Sequence, residues 1–136
     1  MNSPSHESRH VAVRIARPAA EVYAYAADPA HLPAWAHGLS GAIRHEGGVW
    51  VADSPMGRVT VAFAPPNPFG VLDHDVTLPS GETVHNPVRV LPDGDSASEV
   101  VFTLRRLPGV TRADFEHDAA IVTADLERLR GVLEAN

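Results

Sequence analysis

Eight histidines stand in a chain of 136 residues, and histidine is the side chain whose proton comes and goes near neutral pH. His74 has the most informative setting. In VLDHDVTL (71–78) strand alternation puts Leu72, His74, Val76 and Leu78 on one face, with Asp73, Asp75 and Thr77 on the other. The first face is mainly apolar, so His74 and Val76 are expected to point inward. Two roles compete for His74: a general acid or base working inside a cavity, or a core histidine satisfied by a hydrogen bond.

The next strand, TVHNPVRV (83–90), receives two conflicting arguments about its inward face. A two-residue turn at Ser80-Gly81 sets Val76 opposite His85 and nominates His85 and Arg89. Apolar alternation nominates Val84, Asn86, Val88 and Val90 instead. The two agree only if the hairpin has a three-residue loop or a bulge, and Pro87 gives a reason for a bulge. The apolar pattern is preferred, which favours Asn86. Either Asn86 or Arg89 would then orient a carbonyl oxygen, and a solvated face is the plain alternative for His85 and Arg89.

Further candidates lie elsewhere. Asp118 and Asp125 stand seven apart on one line of the last helix, where burial could make them an acid and a base; a solvated or Arg-paired role is the alternative. Trp35 and His37 end a short helix, so Trp35 either stacks on a flat ligand or plugs the core. Phe63, Phe69 and Phe102 are expected in the core or cavity wall, shaping selectivity without chemistry. Of Tyr23 and Tyr25, one should face water. The string HESRH (6–10) matches H-E-x-x-H, but that motif binds zinc only on a helix, and here it runs into the strand pattern of Val11, Val13 and Ile15. No metal site is expected.

Two absences exclude whole chemistries. The chain has no Cys, and all eleven of its basic residues are Arg. Thiol nucleophiles, lysine Schiff bases and a P-loop lysine are therefore impossible. No G-x-S-x-G supports a hydrolase. Eleven basic against seventeen acidic residues give a net charge of −6, and without a basic stripe no nucleic-acid partner is expected. No apolar run approaches the ~20 residues of a membrane span, and the first residues lack the pattern of a signal peptide. A cytoplasmic location is expected.

The elements that must hold these residues follow from periodicity. Val110 to Glu134 repeats Phe115, Ala119, Val122, Leu126, Leu129 and Leu133 at helical spacing, with Thr111 and Asp114 placed as a capping box. At ~1.5 Å per residue this helix crosses a whole small sheet. Residues 1–8 are expected to form a disordered tail, with 9–136 one domain. A strand opens that domain, then a short helix from Pro18, then a second capped by Asp28 with Pro29 at its first position. Strands are expected near 40–46, 49–54, 57–64, 71–78, 83–91 and 98–106, punctuated by Gly47-Gly48, Pro55-Met56-Gly57 and Asp93-Gly94-Asp95. APPNPFG (64–70) is too rich in proline for a strand and reads as an ordered loop. Six strands on short turns make an antiparallel meander, and only the last helix is long enough to cover its apolar face.

This β-α-α-β6-α order resembles the helix-grip fold, and the chain resembles members of the START-like (SRPBCC) superfamily over residues 9–135. That superfamily includes polyketide cyclases and dehydrases, birch-pollen-allergen-like plant proteins and lipid-transfer domains. The resemblance is carried by the opening strand with ARPAAEVYAYAADPAHLPAWA (16–36), and by FGVLDHDVTLPSGETVHNPVRV (69–90), which is similar to a small bacterial branch labelled polyketide-cyclase-like. It implies an α+β domain whose curved antiparallel sheet wraps around the C-terminal helix, leaving a deep cavity for a hydrophobic molecule. It provides no shared catalytic motif. With Trp35, His37, Phe63, Phe69, Val76, Phe102, Asp118, Val122 and Leu126 as candidate ligand contacts, three readings stand. One is a cofactor-independent cyclase or dehydrase using His74 with Asn86 or Arg89. Another is a non-catalytic carrier or sensor of an apolar ligand. The third is an interaction module, dimerising through a sheet edge.

Overall fold

The computed structural model describes residues 7–36, 43–54 and 57–135. Strand β1 (Ser8–Ile15) leads to helix α1 (Ala19–Ala26), a 3-10 turn (Pro29–His31) and helix α2 (Leu32–Trp35). Seven strands follow: β2 (Ile43–Glu46), β3 (Val49–Ser54), β4 (Gly57–Phe63), β5 (His74–Thr77), β6 (Thr83–Asn86), β7 (Val88–Asp93) and β8 (Ala97–Arg105). Helix α3 (Arg112–Glu134) closes the chain. A curved antiparallel sheet wraps around this long C-terminal helix, which is the helix-grip arrangement the resemblance implies.

The strand expected over 83–91 is two strands. β6 extends the set β2-β3-β4-β5-β6, whereas β7 joins β1-β8-β7. Pro87 lies between them and has no N–H to give to a ladder. The Asp73 carboxylate instead accepts the Val88 N–H at 2.9 Å, and Leu72 N–H donates to the Val88 carbonyl at 2.8 Å. An isolated bridge between Val71 and Arg89 stitches the two sets together there. β1 begins at Ser8, inside the stretch expected as a tail, because Ser8 pairs with Arg105.

The C-terminal helix forms as its sequence dictates. Thr111 Oγ1 accepts the Asp114 N–H at 3.1 Å, and Phe115, Ala119, Leu126, Leu129 and Leu133 are buried. Each fully buried large side chain in that stripe contributes roughly 1.5–3 kcal/mol. β1 and the residue that follows it, Ala16, hold the helix at both ends. Arg9 pairs with Glu116 at 2.6 Å and lies over the Phe115 ring, while the Ala16 N–H donates to Glu134 at 2.8 Å. Asp28 caps the 3-10 turn by accepting the Ala30 N–H at 3.0 Å. Among the described residues, no helix is long and apolar enough to cross a membrane.

Candidate functional site

The stripe of α3 is not sealed along its whole length. Around Val122 and Leu126 it faces a cavity of about 270 Å³ between the helix and the sheet. Val59, Val61, Val76, Val84 and Phe102 supply the sheet wall, while Leu32, Trp35 and Ala36 close it from α2. Val122 is the one stripe residue left half-buried, because its neighbour is space rather than protein. Among the described lining residues, Ser54, His74, Asn86 and Asp125 are the polar ones, and the others present carbon.

His74 and Asn86 face each other directly across β5 and β6. The hairpin explains why. Leu78 N–H donates to the Glu82 carbonyl at 2.8 Å, closing a three-residue loop, Pro79-Ser80-Gly81, in which Gly81 takes φ +92°. That loop pairs Val76 with Val84 and reconciles turn geometry with the apolar pattern. The His74 ring lies 5.0 Å from Phe63 and edge-on to Phe102 at 6.2 Å. Its Nδ1–H donates to the Leu72 carbonyl at 3.1 Å, and its Nε2 stands 3.5 Å from Asn86 Nδ2. Burial pushes the imidazole below its ordinary value, outweighing the Leu72 carbonyl and the Asp73 and Asp75 carboxylates, which act the other way. The ring is thus a neutral group whose Nε2 carries a lone pair.

Other polar groups are already engaged. Asp125 pairs with Arg128 at 2.9 Å, and Arg128 also donates to the Trp35 carbonyl at 3.0 Å, tying α3 to the end of α2. Ser54 Oγ donates to the Gly57 carbonyl at 2.8 Å. The Trp35 indole N–H is fully covered and has no acceptor among the described residues. It is therefore sealed from the cavity and not offered to it.

The structure gathers some of the expected site residues and scatters others. His74, Asn86, Val76, Phe102, Val122, Leu126 and Trp35 share the cavity. Arg89 does not: flanked by buried Val88 and Val90, it points out of the sheet and pairs with Asp73. His85 likewise points outward and bonds to Asp75 at 2.6 Å. Asp118 is exposed, two turns of α3 before Asp125, where the helix no longer faces the cavity. Phe63 is on the inward face but packs behind His74 and does not line the space. Phe69 is 77% exposed. Asn67 Oδ1 accepts the N–H groups of Phe69 and Val71, and Gly70, at φ +72°, lies so close to the Val90 carbonyl that no Cβ fits. The pinned loop turns Phe69 out beside an open groove of about 550 Å³ that lies away from His74 and Asn86. His37 lies outside the described residues. Val59, Val61 and Leu32 join the cavity wall without being among the expected contacts, and the alternation of Val59, Val61 and Phe63 is the sequence signal for the two valines.

Comparison with known proteins bears on this architecture. Residues 7–134 match the family described as polyketide cyclase / dehydrase and lipid transport. No curated protein matches the sequence significantly. Among solved structures, a START superfamily protein from Mycobacterium smegmatis is similar with a TM-score of 0.69 and 14% identity, over 96% of this chain and 99% of that one. The Zhui aromatase/cyclase from Streptomyces sp. R1128 gives 0.70 and 17%, over 96% and 94%. Norcoclaurine synthase from Thalictrum flavum gives 0.69 and 12%, over 97% and 88%. At such identities these structures share the fold alone. With nearly its whole length matched, this chain belongs to the polyketide cyclase / dehydrase and lipid transport family, within the START-like helix-grip superfamily.

Proposed function

We propose that this protein binds and carries a small, mainly apolar molecule between its sheet and C-terminal helix, without transforming it. The observation that carries this reading is the cavity of about 270 Å³ walled by Val, Leu, Phe and Trp side chains. Apolar concave surface of this kind gains from excluding water around a ligand, and the volume is near the lower end of the ~300–1,000 Å³ common for small-molecule sites. The norcoclaurine synthase structure is a complex with dopamine and hydroxybenzaldehyde, so small aromatic molecules are a reasonable class to try.

A cyclase or dehydrase reading with His74 as acid or base has less support. One ring nitrogen of His74 is committed to the Leu72 carbonyl, and burial makes the other a weak base. Asn86 exchanges no proton, and the Asp125 carboxylate is held by Arg128. The cavity therefore offers groups that orient a ligand more than groups that move protons.

Native mass spectrometry of the purified protein tests the carrier reading. We expect an adduct that is lost on denaturation, and its loss in a Val122→Trp variant that fills the cavity while remaining folded. An adduct retained unchanged by that variant would move the ligand elsewhere on the molecule.

A further inference from the structure

Seated across β5 and β6, His74 and Asn86 are the paired polar groups of a carbon-walled cavity. The Leu72 carbonyl can only accept, so the 3.1 Å contact places the ring hydrogen on Nδ1 and leaves Nε2 as an acceptor. The donor that faces it, Asn86 Nδ2, stands 3.5 Å away, at the outer limit of a hydrogen bond. An acceptor and a donor thus sit side by side, poorly used by each other. We infer that the His74–Asn86 pair is a head-group site for an uncharged hydroxyl, so that the cavity selects alcohols and phenols over carboxylates of the same shape. This rests on the cavity being the ligand site.

A hydroxyl satisfies both partners at once. Its O–H donates to His74 Nε2, and its oxygen accepts the Asn86 N–H. A carboxylate only accepts, so it meets the Nε2 lone pair with another lone pair. It also lacks a countercharge. The chain contains no Lys, the Arg128 guanidinium is shared between Asp125 and the Trp35 carbonyl, and Asp125 is the charged side chain among the described lining residues. A pure hydrocarbon loses nothing electrostatically but leaves the pair as poorly matched as before. Beyond the pair, Val61, Val76 and Val84 form the next row of the sheet, all carbon. The preferred molecule therefore has one hydroxyl at an end of a one- or two-ring apolar body.

Isothermal titration calorimetry at pH 7.5 with 2-naphthol, 2-methylnaphthalene and 2-naphthoate tests this, in the wild type and in His74→Phe and Asn86→Leu. Wild-type protein should bind 2-naphthol at least about tenfold tighter than 2-naphthoate. Each variant should weaken 2-naphthol about tenfold while leaving 2-methylnaphthalene unchanged or tighter. Naphthoate binding as tightly as naphthol, a comparison that needs only the wild type, would overturn the inference. So would variants that shift naphthol and methylnaphthalene alike, even though the cavity would remain the ligand site. Failure of all three compounds to bind would overturn the cavity reading and this inference with it.

Discussion

Two histidines on neighbouring strands, His74 and His85, live on opposite faces of the same hairpin. Inside, His74 stands against an uncharged amide, with Phe63 and Phe102 around its ring. Outside, His85 bonds to the Asp75 carboxylate at 2.6 Å, next to the Asp73–Arg89 ion pair. The residue type is the same, and alternation alone separates the two environments. Outward charges pair with charges because water screens them and the desolvation they face is small. On this hairpin the inward polar groups, His74 and Asn86, pair with neutral partners because an ion there would give up its hydration for little return. The inner pair is thereby suited to recognising a neutral group, and the outer cluster to keeping the sheet surface wet and charged.

The contrast can be broken most severely by truncating both histidines. His74→Ala removes a largely buried ring from its contacts with Phe63 and Phe102, and should destabilise the fold by about 2–3 kcal/mol. His85→Ala should change stability by no more than about 0.5 kcal/mol, since that side chain is 60% exposed. Urea unfolding of both variants measures the difference, and equal effects would dissolve the comparison.

Acid sharpens it next. His74 has its pKa lowered from an ordinary 6.5, chiefly by burial, so the unfolded chain takes up a proton that the folded one refuses. Stability contributed by the neutral ring is complete above pH 6.5, falls as pH drops below it, and levels once the folded-state pKa is passed. The slope from this one group is at most about 1.4 kcal/mol per pH unit. Urea midpoints of wild type and His74→Phe at pH 7 and pH 5 should show the wild type losing more. Identical losses in wild type and His74→Phe would remove His74 as the source.

Much of this was legible in the sequence wherever a local rule and the tertiary environment agree. The α3 stripe, its Thr111 cap and the Asp28 cap rest on spacing and nearest-neighbour hydrogen bonds, and they form as expected. The inward set Val84, Asn86, Val88 and Val90 keeps its alternation straight through Pro87, although the strand itself divides there. Sheet-switching at Pro87 was not legible, because it depends on Asp73, fifteen residues away, supplying an acceptor for Val88. Asp118 and Asp125 share a line on their helix, but which turn lies over a cavity is decided by the sheet beneath. Phe69 shows the same limit in reverse: its hydrophobicity argued for burial, while Asn67 and the tight approach of Gly70 to Val90 turn it out.

Arg89 gives the finest discrimination between the two faces. A guanidinium one residue after buried Val88 is an attractive candidate for holding a ligand oxygen, since Asn86, three residues before it, lines the cavity. Its pairing fixes the opposite orientation: Arg89 is matched with Val101 across β7 and β8, and its guanidinium reaches Asp73 on the outer surface. With 42% of the Arg89 side chain exposed, solvent screens that ion pair. Arg89→Gln should therefore lower stability by less than about 1 kcal/mol. The backbone bond from Val88 to Asp73 would survive it, because it needs only the carboxylate. Affinity for 2-naphthol should be unchanged within error, as should its ratio to 2-naphthoate. A tenfold loss of naphthol affinity in Arg89→Gln would mean that β7 turns its other face to the cavity when a ligand binds.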